Sequence, residues 1–293
     1  MIQSNKWGDR MYNELFNNIL KKLFLNGYQF NDIMEYFNLK KYELLAIYEE
    51  ILLRYIPVED DFYIRINREY LENSIFLNMY DEKTVIISDT HYGSKKDNLE
   101  YLYQLKDFIK KEKISIIFHG GDIGDGLITP SKRYNSYDKQ IDRICKIHSQ
   151  FSNIDQYILG GNHDMEYKKN KRDIIKILSN NDKNNIIPMG YYKAFFKVYN
   201  HIVALQHMKT KGAYKFIEPT FSIMGHSHRY RYKQNGNRIY IPPSCLENPG
   251  NYNPFIPGFL VMQALNKNLL QFQMYAYNPN GPIMMEQEKV YIK

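Results

Sequence analysis

The stretch Thr84-Val85-Ile86-Ile87-Ser88-Asp89-Thr90-His91-Tyr92-Gly93 joins an apolar run to two metal-ligand residue types. Thr84 to Ile87 reads as a buried strand. Asp89 and His91 follow at its end, one residue apart, so an irregular loop can turn both side chains toward one ion. The arrangement recurs down the chain. Ile114 to Phe118 leads to Gly121-Asp122, and Tyr157-Ile158-Leu159 leads to Gly161-Asn162-His163-Asp164. Ile202 to Leu205 precedes His207, and Phe221 to Met224 precedes Gly225-His226-Ser227-His228. Oxygen and imidazole donors presented from strand ends are what a site for two hard-to-borderline metal ions needs. The pattern points to metal-assisted phosphoester hydrolysis.

The motifs differ in specificity. Asp-x-His and Gly-Gly-Asp are each weak alone, and a turn aspartate accounts for Asp122 as well as a ligand does. Paired glycines let the backbone turn sharply and approach a ligand closely, and the two oxygens of one carboxylate can bridge two ions ~3.5–4 Å apart. Gly160-Gly161-Asn162-His163-Asp164 is more specific. Asn162 offers a neutral oxygen and His163 a proton near a reacting phosphate. Asp164 could hold that imidazole in one tautomer and raise its basicity. A helix N-cap explains Asn or Asp here but not His. His226 and His228 fit a loop with both rings inward. Five of the eight histidines stand at these strand ends, a poor coincidence.

Between the motifs, strand and helix patterns alternate. An amphipathic helix is predicted at roughly 97–112 (Leu99, Leu102, Leu105, Phe108, Ile109), with others near 137–151 and 171–180. After residue 185 short strands dominate. This is an α/β pattern of two packed mixed sheets with helices outside. Residues 1–80 read as a separate helical domain, and 81–293 as the catalytic domain. Within the first, Met11, Leu15, Ile19, Leu20, Leu23 and Phe24 mark one helix, and Phe30, Ile33, Met34 and Phe37 a second. Leu44, Leu45, Tyr48, Ile51 and Leu52 mark a third, and the outline is a helix-turn-helix.

Charge qualifies that outline. Residues 1–80 hold nine Lys/Arg against twelve Asp/Glu, leaving the remainder at about +10 of the chain's net +7. Phosphate contacts need Lys and Arg, and only Lys40 and Lys41 stand at the start of the expected recognition helix. DNA docking and packing on a protein surface both remain open for this segment. The basic excess on residues 81–293 suggests a polyanionic partner such as nucleic acid. A Lys-, Asn-, Ile- and Tyr-heavy composition gives the same charge without one. No 18-residue apolar run marks a membrane span. No secretory signal pattern opens the chain, and Cys145 and Cys245 have no metal-type spacing, so a cytoplasmic protein is expected. The sequence does not set an oligomeric state.

Taken together, Asp89-Thr-His91-Tyr-Gly93, Gly121-Asp122-Ile-Gly-Asp125, Gly161-Asn162-His163-Asp164, His207 and Gly225-His226-Ser-His228 resemble the calcineurin-like metallophosphoesterase superfamily over about residues 83–245. The resemblance implies a four-layer α/β/β/α sandwich, here preceded by the small all-α domain. It implies one divalent ion on Asp89, His91, Asp122 and His228, and a second on Asp122, Asn162, His207 and His226. His163 would stabilise charge or protonate the leaving oxygen. Mn²⁺ is the family's working guess, and Fe, Zn, Co or Ni suit the same donors.

Protein Ser/Thr phosphatases of that superfamily carry Arg after the last Asp of Gly-Asp-x-x-Asp and Glu after Asn-His. This chain has Gly126 and Asp164 there, and it looks closer to the phosphodiesterase and DNA-repair nuclease branches. Basic residues flank the ligands: Lys168, Lys169, Lys171 and Arg172 on one side, and Arg229, Arg231 and Lys233 on the other, interleaved with Tyr230 and Tyr232. Cations with aromatics fit a nucleic-acid strand. A solvated hairpin up to Asn235-Gly236-Asn237 fits the same alternation. Lys168, Arg172, Arg229 and Arg231 are the expected substrate contacts. A phosphatase or phosphodiesterase for a small nucleotide-like molecule is the alternative reading.

Overall fold

Successive side chains of a strand point to opposite faces, so a strand buried on both faces must be apolar throughout. That is the pattern at Val85-Ile86-Ile87, and it sets the architecture. The computed structural model describes residues 63–64, 74–75, 83–130, 132–181, 185–199, 201–208, 219–233, 238–244 and 256–291. The helix-turn-helix reading of residues 9–55 lies outside them. A short antiparallel pair, β1 (Tyr63–Ile64) and β2 (Ser74–Ile75), comes first.

Four strands then run parallel: β3 (Lys83–Ile87), β4 (Ile116–His119), β5 (Asp155–Gly160) and β6 (Ile186–Tyr191). Helices α1 (Leu99–Lys111), α2 (Tyr137–His148), α3 (Asn162–Lys169) and α4 (Ile174–Ser179) connect them. A second sheet contains β7 (Lys193–Val198), β8 (His201–Gln206), β9 (Phe221–Met224), β10 (Arg231–Lys233) and β11 (Arg238–Tyr240), in the order β10-β11-β9-β8-β7. The chain then returns to the first sheet as β12 (Gly258–Asn266), β13 (Leu269–Ala276) and β14 (Ile283–Tyr291), giving the seven-stranded order β14-β13-β12-β3-β4-β5-β6.

The two sheets pack face to face. Ile86, Phe118, Tyr157 and Leu159 of the first meet Phe196, Leu205, Phe221 and Ile223 of the second. Phe118 stacks on Phe196 with ring centroids 4.4 Å apart, and Phe221 on Phe272 at 4.8 Å. Burying each such ring contributes about 1.5–3 kcal/mol. The opposite face of the seven-stranded sheet (Val85, Ile87, Ile117, Ile158) takes the apolar stripes of α1, α2 and α4, including Leu102, Leu105, Ile144 and Leu178, and the single Tyr167 ring of α3. The described residues thus form three layers, with no helix among them on the outer face of the five-stranded sheet. None of the described helices is long and apolar enough to cross a membrane.

One expectation shifts. The helix placed at 171–180 is α4, and a separate helix, α3, precedes it directly after the Gly161 turn. Its sequence, Asn162 to Lys169, buries only Asp164 and Tyr167. It lacks the apolar stripe that reveals the other helices.

His148, at the end of α2, is buried beneath the helical layer. Its Nδ1–H donates to Gln156 Oε1 at 2.8 Å, while Nε2 meets no hydrogen-bond partner. Burial pushes its pKa from the ordinary 6.5 down to about 4. The unfolded chain therefore binds this proton more readily than the folded one. The contribution is intact above pH 6.5 and is lost as pH falls toward 4, up to about 3 kcal/mol. We expect urea midpoints of His148→Asn to fall less between pH 7 and pH 5 than those of the wild type. Equal falls would remove His148 as a cause.

Candidate metal centre

β3, β4 and β5 are parallel, so their C-terminal ends share one edge of the sheet, and Asp89, Asp122 and Asn162 follow those ends. β8 and β9 are also parallel, and His207 and His226 follow theirs. Each turn is sharp. Asp89 (φ 52°), His91 (44°), Asp122 (54°), His226 (69°) and His228 (49°) all adopt left-handed backbone. L-residues avoid that region, at about 1–3 kcal/mol each. Half of the ten described non-glycine residues with positive φ are therefore expected ligands, so the strain is concentrated where the side chains must converge.

The turns are tied together by backbone bonds. Asp89 N–H donates to Gly121 O at 2.9 Å, His91 N–H to Asp122 O at 3.1 Å and Tyr92 N–H to Ile123 O at 2.8 Å. His119 ties them again from below. Its Nδ1 accepts from Gly121 N–H at 3.2 Å, which leaves Nε2–H to donate to Thr90 Oγ1 at 3.0 Å. Burial pushes His119 down to about 3, keeping the ring neutral.

All seven expected ligands come together. Asp89, His91 and His228 form one group, and Asp122, His207 and His226 another. His91 Nε2 and His228 Nε2 stand 3.2 Å apart, and Asp89 Oδ1 lies 3.2 Å from the latter. In the second group His207 Nε2 is 3.0 Å from Asp122 Oδ2 and 3.2 Å from Asn162 Oδ1. Asp122 Oδ2 also lies 3.7 Å from His91 Nε2, so this carboxylate stands between the groups. Second partners orient the rings, as metal-ligating histidines require. His207 Nδ1 donates to Gly120 O at 2.7 Å, and His91 Nδ1 faces the Asp125 carboxylate at 3.4 Å. Converging Asp, Asn and His donors of this kind fit divalent first-row ions.

Charge is concentrated accordingly. Burial raises the Asp89 carboxyl, but the His228 hydrogen bond and the fields of His207, His228 and His91 outweigh it, and Asp89 is held well below the ordinary carboxylate range. Asp122 is likewise opposed by burial, yet His207 and His91 hold it at about 2. Burial lowers His207, but Asp122 and then Asp89 overcome this and lift it to about 9. Binding a dication to such a set displaces the imidazole protons.

His163 and Asp164 are adjacent but act separately, which corrects the expected pairing. His163 Nδ1 donates to the backbone oxygen of Asp125 at 2.8 Å. The Asp164 carboxylate instead accepts three backbone N–H groups, from Gly161 at 2.8 Å, Ile123 at 3.0 Å and Gly124 at 3.1 Å. The physical reason is its place in the first turn of α3, where a carboxylate at the third position reaches back to the free N–H of the N-cap Gly161. Burial and the nearby Asp122 still raise it to about 6. Asp125, part of the quoted motif but given no role there, thus aligns both His91 and His163.

The basic flanks divide. Lys168 pairs with Asp173 at 3.8 Å and lies over the Tyr191 ring, and Arg172 is bonded to Asp138 at 2.7 Å. Neither lines the cavity over the ligands, because α3 leads away from the site. Arg229 and Arg231 do line it, with His163, Ser227, Lys233 and Tyr240, around about 520 Å³. Tyr230 and Tyr232 pack inward against the core between the sheets. The aromatic of the basic face is Tyr240, opposite Arg231 on β11.

A two-sheet sandwich that gathers four imidazoles and two buried carboxylates at parallel strand ends defines a metal-dependent hydrolase of phosphate esters. The calcineurin-like phosphoesterase family model matches residues 82–248, and the chain belongs to that family. It is a metal-dependent phosphoesterase, of a family that binds divalent ions, typically two. No curated protein matches the chain. Among solved structures, the phosphoesterase YfcE from E. coli is similar at 15% identity, covering 72% of this chain and 100% of that one, with TM-score 0.45. Zinc-complexed Vps29 from Entamoeba histolytica aligns at 14% identity over 72% and 99%, with TM-score 0.42. The purple acid phosphatase PPD1 from yellow lupin aligns at 12% identity over 75% and 55%, with TM-score 0.48.

Gly161 offers a test of how closely the site is built. A Cβ there would collide with Asp122 Oδ1 and stand 2.7 Å from His207 Nε2. Gly161→Ala should lower divalent-metal affinity about 10–100-fold while circular dichroism stays native. Unchanged affinity in a titration would show that the Asp122–His207 geometry is not confined by this backbone.

Proposed function

We propose that the chain is a phosphodiesterase acting on nucleic acid. In this reading Asp89, His91, Asp122 and His228 hold one divalent ion, and Asp122, Asn162, His207 and His226 the second. Manganese is the working assignment by family, since the donors suit several first-row ions. Bound ions of this kind supply an acidified water and neutralise non-bridging phosphate oxygens. His163 directs Nε2 toward the leaving oxygen, because Nδ1 is held by Asp125 O. Asp125 and Gly120 fix the rings of His91 and His207. Ser227, Arg229 and Arg231 border the substrate.

The observation that carries the diester reading is the course of the cavity. Arg229, Arg231 and Lys233 all line its wall, the last two on one face of β10. A phosphomonoester concentrates its charge on one group and needs cations around that group. A polynucleotide carries one charge per residue and needs cations in succession. The basic excess of residues 81–293 supports the same substrate class.

The assay is turnover of an aryl phosphodiester and an aryl phosphomonoester by manganese-loaded protein. Diester preference is expected, and monoester preference would overturn the assignment. Asp122→Asn should abolish turnover and lower the metal content by at least one ion per chain. Wild-type turnover in that variant would sink the two-metal reading. His163→Ala should cost roughly 10²–10⁴-fold in kcat with metal content unchanged, and a loss of metal in this variant would instead place His163 among the ligands.

A further inference from the structure

The hairpin that borders the site has two chemically distinct faces. Register pairs Arg231 with Tyr240 and Lys233 with Arg238, and directly paired residues share a face. Arg231, Lys233, Arg238 and Tyr240 therefore occupy one side. Tyr232 pairs with Ile239 and belongs to the other side, which packs on the core. Tyr240 lies in neither core cluster. It is partly buried and lines the same cavity as Asp122, His163, His226 and His228.

The ring of Tyr240 is partly buried yet stands apart from both apolar cores. Lys233 Nζ stands 5.8 Å from its centroid, at the outer limit of a cation–π contact. From Arg231 to Lys233 the wall advances roughly 7 Å at strand rise. Arg231 and Lys233 thus stand in succession on one face, where each can meet a different phosphate of a strand. Cations that track a backbone, with one aromatic face among them, are the two components of single-strand recognition. A duplex keeps its base faces stacked on one another and offers none to a protein ring.

Building on the nucleic-acid reading above, we propose that the substrate is a single-stranded polynucleotide. Tyr240 stacks on an unpaired base beside the scissile phosphate, while Arg231 and Lys233 hold neighbouring phosphates. Tyr240 is thus a specificity-determining residue that sets strand state rather than chemistry.

The test uses the full chain loaded with manganese and a set of oligodeoxynucleotides of one sequence. One is single-stranded, one fully duplexed, and a series carries a single abasic site walked along the strand. The aryl diester serves as the activity control for the wild type. Wild-type kcat/KM should be highest on the intact single strand and fall about tenfold or more with the duplex and with one abasic position. In Tyr240→Ala the intact-to-abasic ratio at that position should collapse to about one, and Tyr240→Trp should restore it. An abasic penalty that persists in Tyr240→Ala assigns the stack to another residue and overturns the proposal. Equal cleavage of duplex and single strand overturns it as well. If the wild type cleaves strands with no abasic dependence, the nucleic-acid reading stands and Tyr240 loses its role. Wild-type protein that splits the aryl diester but no oligonucleotide removes the nucleic-acid reading itself.

Discussion

The Asp122 carboxylate is the point on which the site depends. Its Oδ1 accepts the backbone N–H of His163 at 2.9 Å, and its Oδ2 lies 3.0 Å from His207 Nε2 and 3.7 Å from His91 Nε2. Three segments distant in sequence therefore meet on one buried group. Such a carboxylate is costly to bury unless positive charge and hydrogen bonds surround it. Here the same imidazoles that offset its charge are the groups that share its proposed role. Gly121, with φ 104°, allows the turn that presents it, and Gly161 allows the neighbouring backbone to pass without a Cβ.

The rest of the fold can be understood as the frame that holds this arrangement under strain. Five ligand-type residues sit in left-handed backbone, a conformation that persists only when the surroundings over-determine it. Two apolar layers do so. The cluster between the sheets fixes the relative position of the β3–β5 ends and the β8–β9 ends. The helical layer fixes the turn after β5 through Asp164, whose carboxylate binds Gly161, Ile123 and Gly124 together. Asp164 joins the Asn162-His163 turn to the Asp122 turn.

How far this was legible in the sequence follows from the range of the interactions. β3, β4, β5 and β9 are local apolar runs with polar ends, and α1 is a local apolar stripe, so each could be read directly. The cluster of expected ligands was legible because its residue types are rare in that order. α3 was not, since its polar face carries the site and it buries almost nothing apolar. The pairing of β12 with β3 joins residues about 175 positions apart and leaves no local mark. Asp164 and His163 were read as partners because they are neighbours. In a helical turn, however, a carboxylate at the third position finds free backbone N–H groups closer than the adjacent ring. Tyr240 needed the hairpin register, which lies across a turn, whereas Tyr230 and Tyr232 drew notice only by standing between basic residues.

This division of labour has a physical consequence for the family frame. The expected ligand residues follow interior parallel strands, where each neighbour restrains the next and little can change without cost. Arg231, Lys233 and Tyr240 stand on β10 and β11, at the end of the five-stranded sheet, with β10 its outermost strand. Only the inward side of that hairpin is committed to the core, through Ile239 and Tyr232. Its outward side can vary in charge and aromaticity without disturbing Asp122 or the turns around it. In the proposed reading, chemistry is therefore fixed by the buried centre of the sandwich, while the choice of substrate falls to an edge whose residues are held in register but not enclosed.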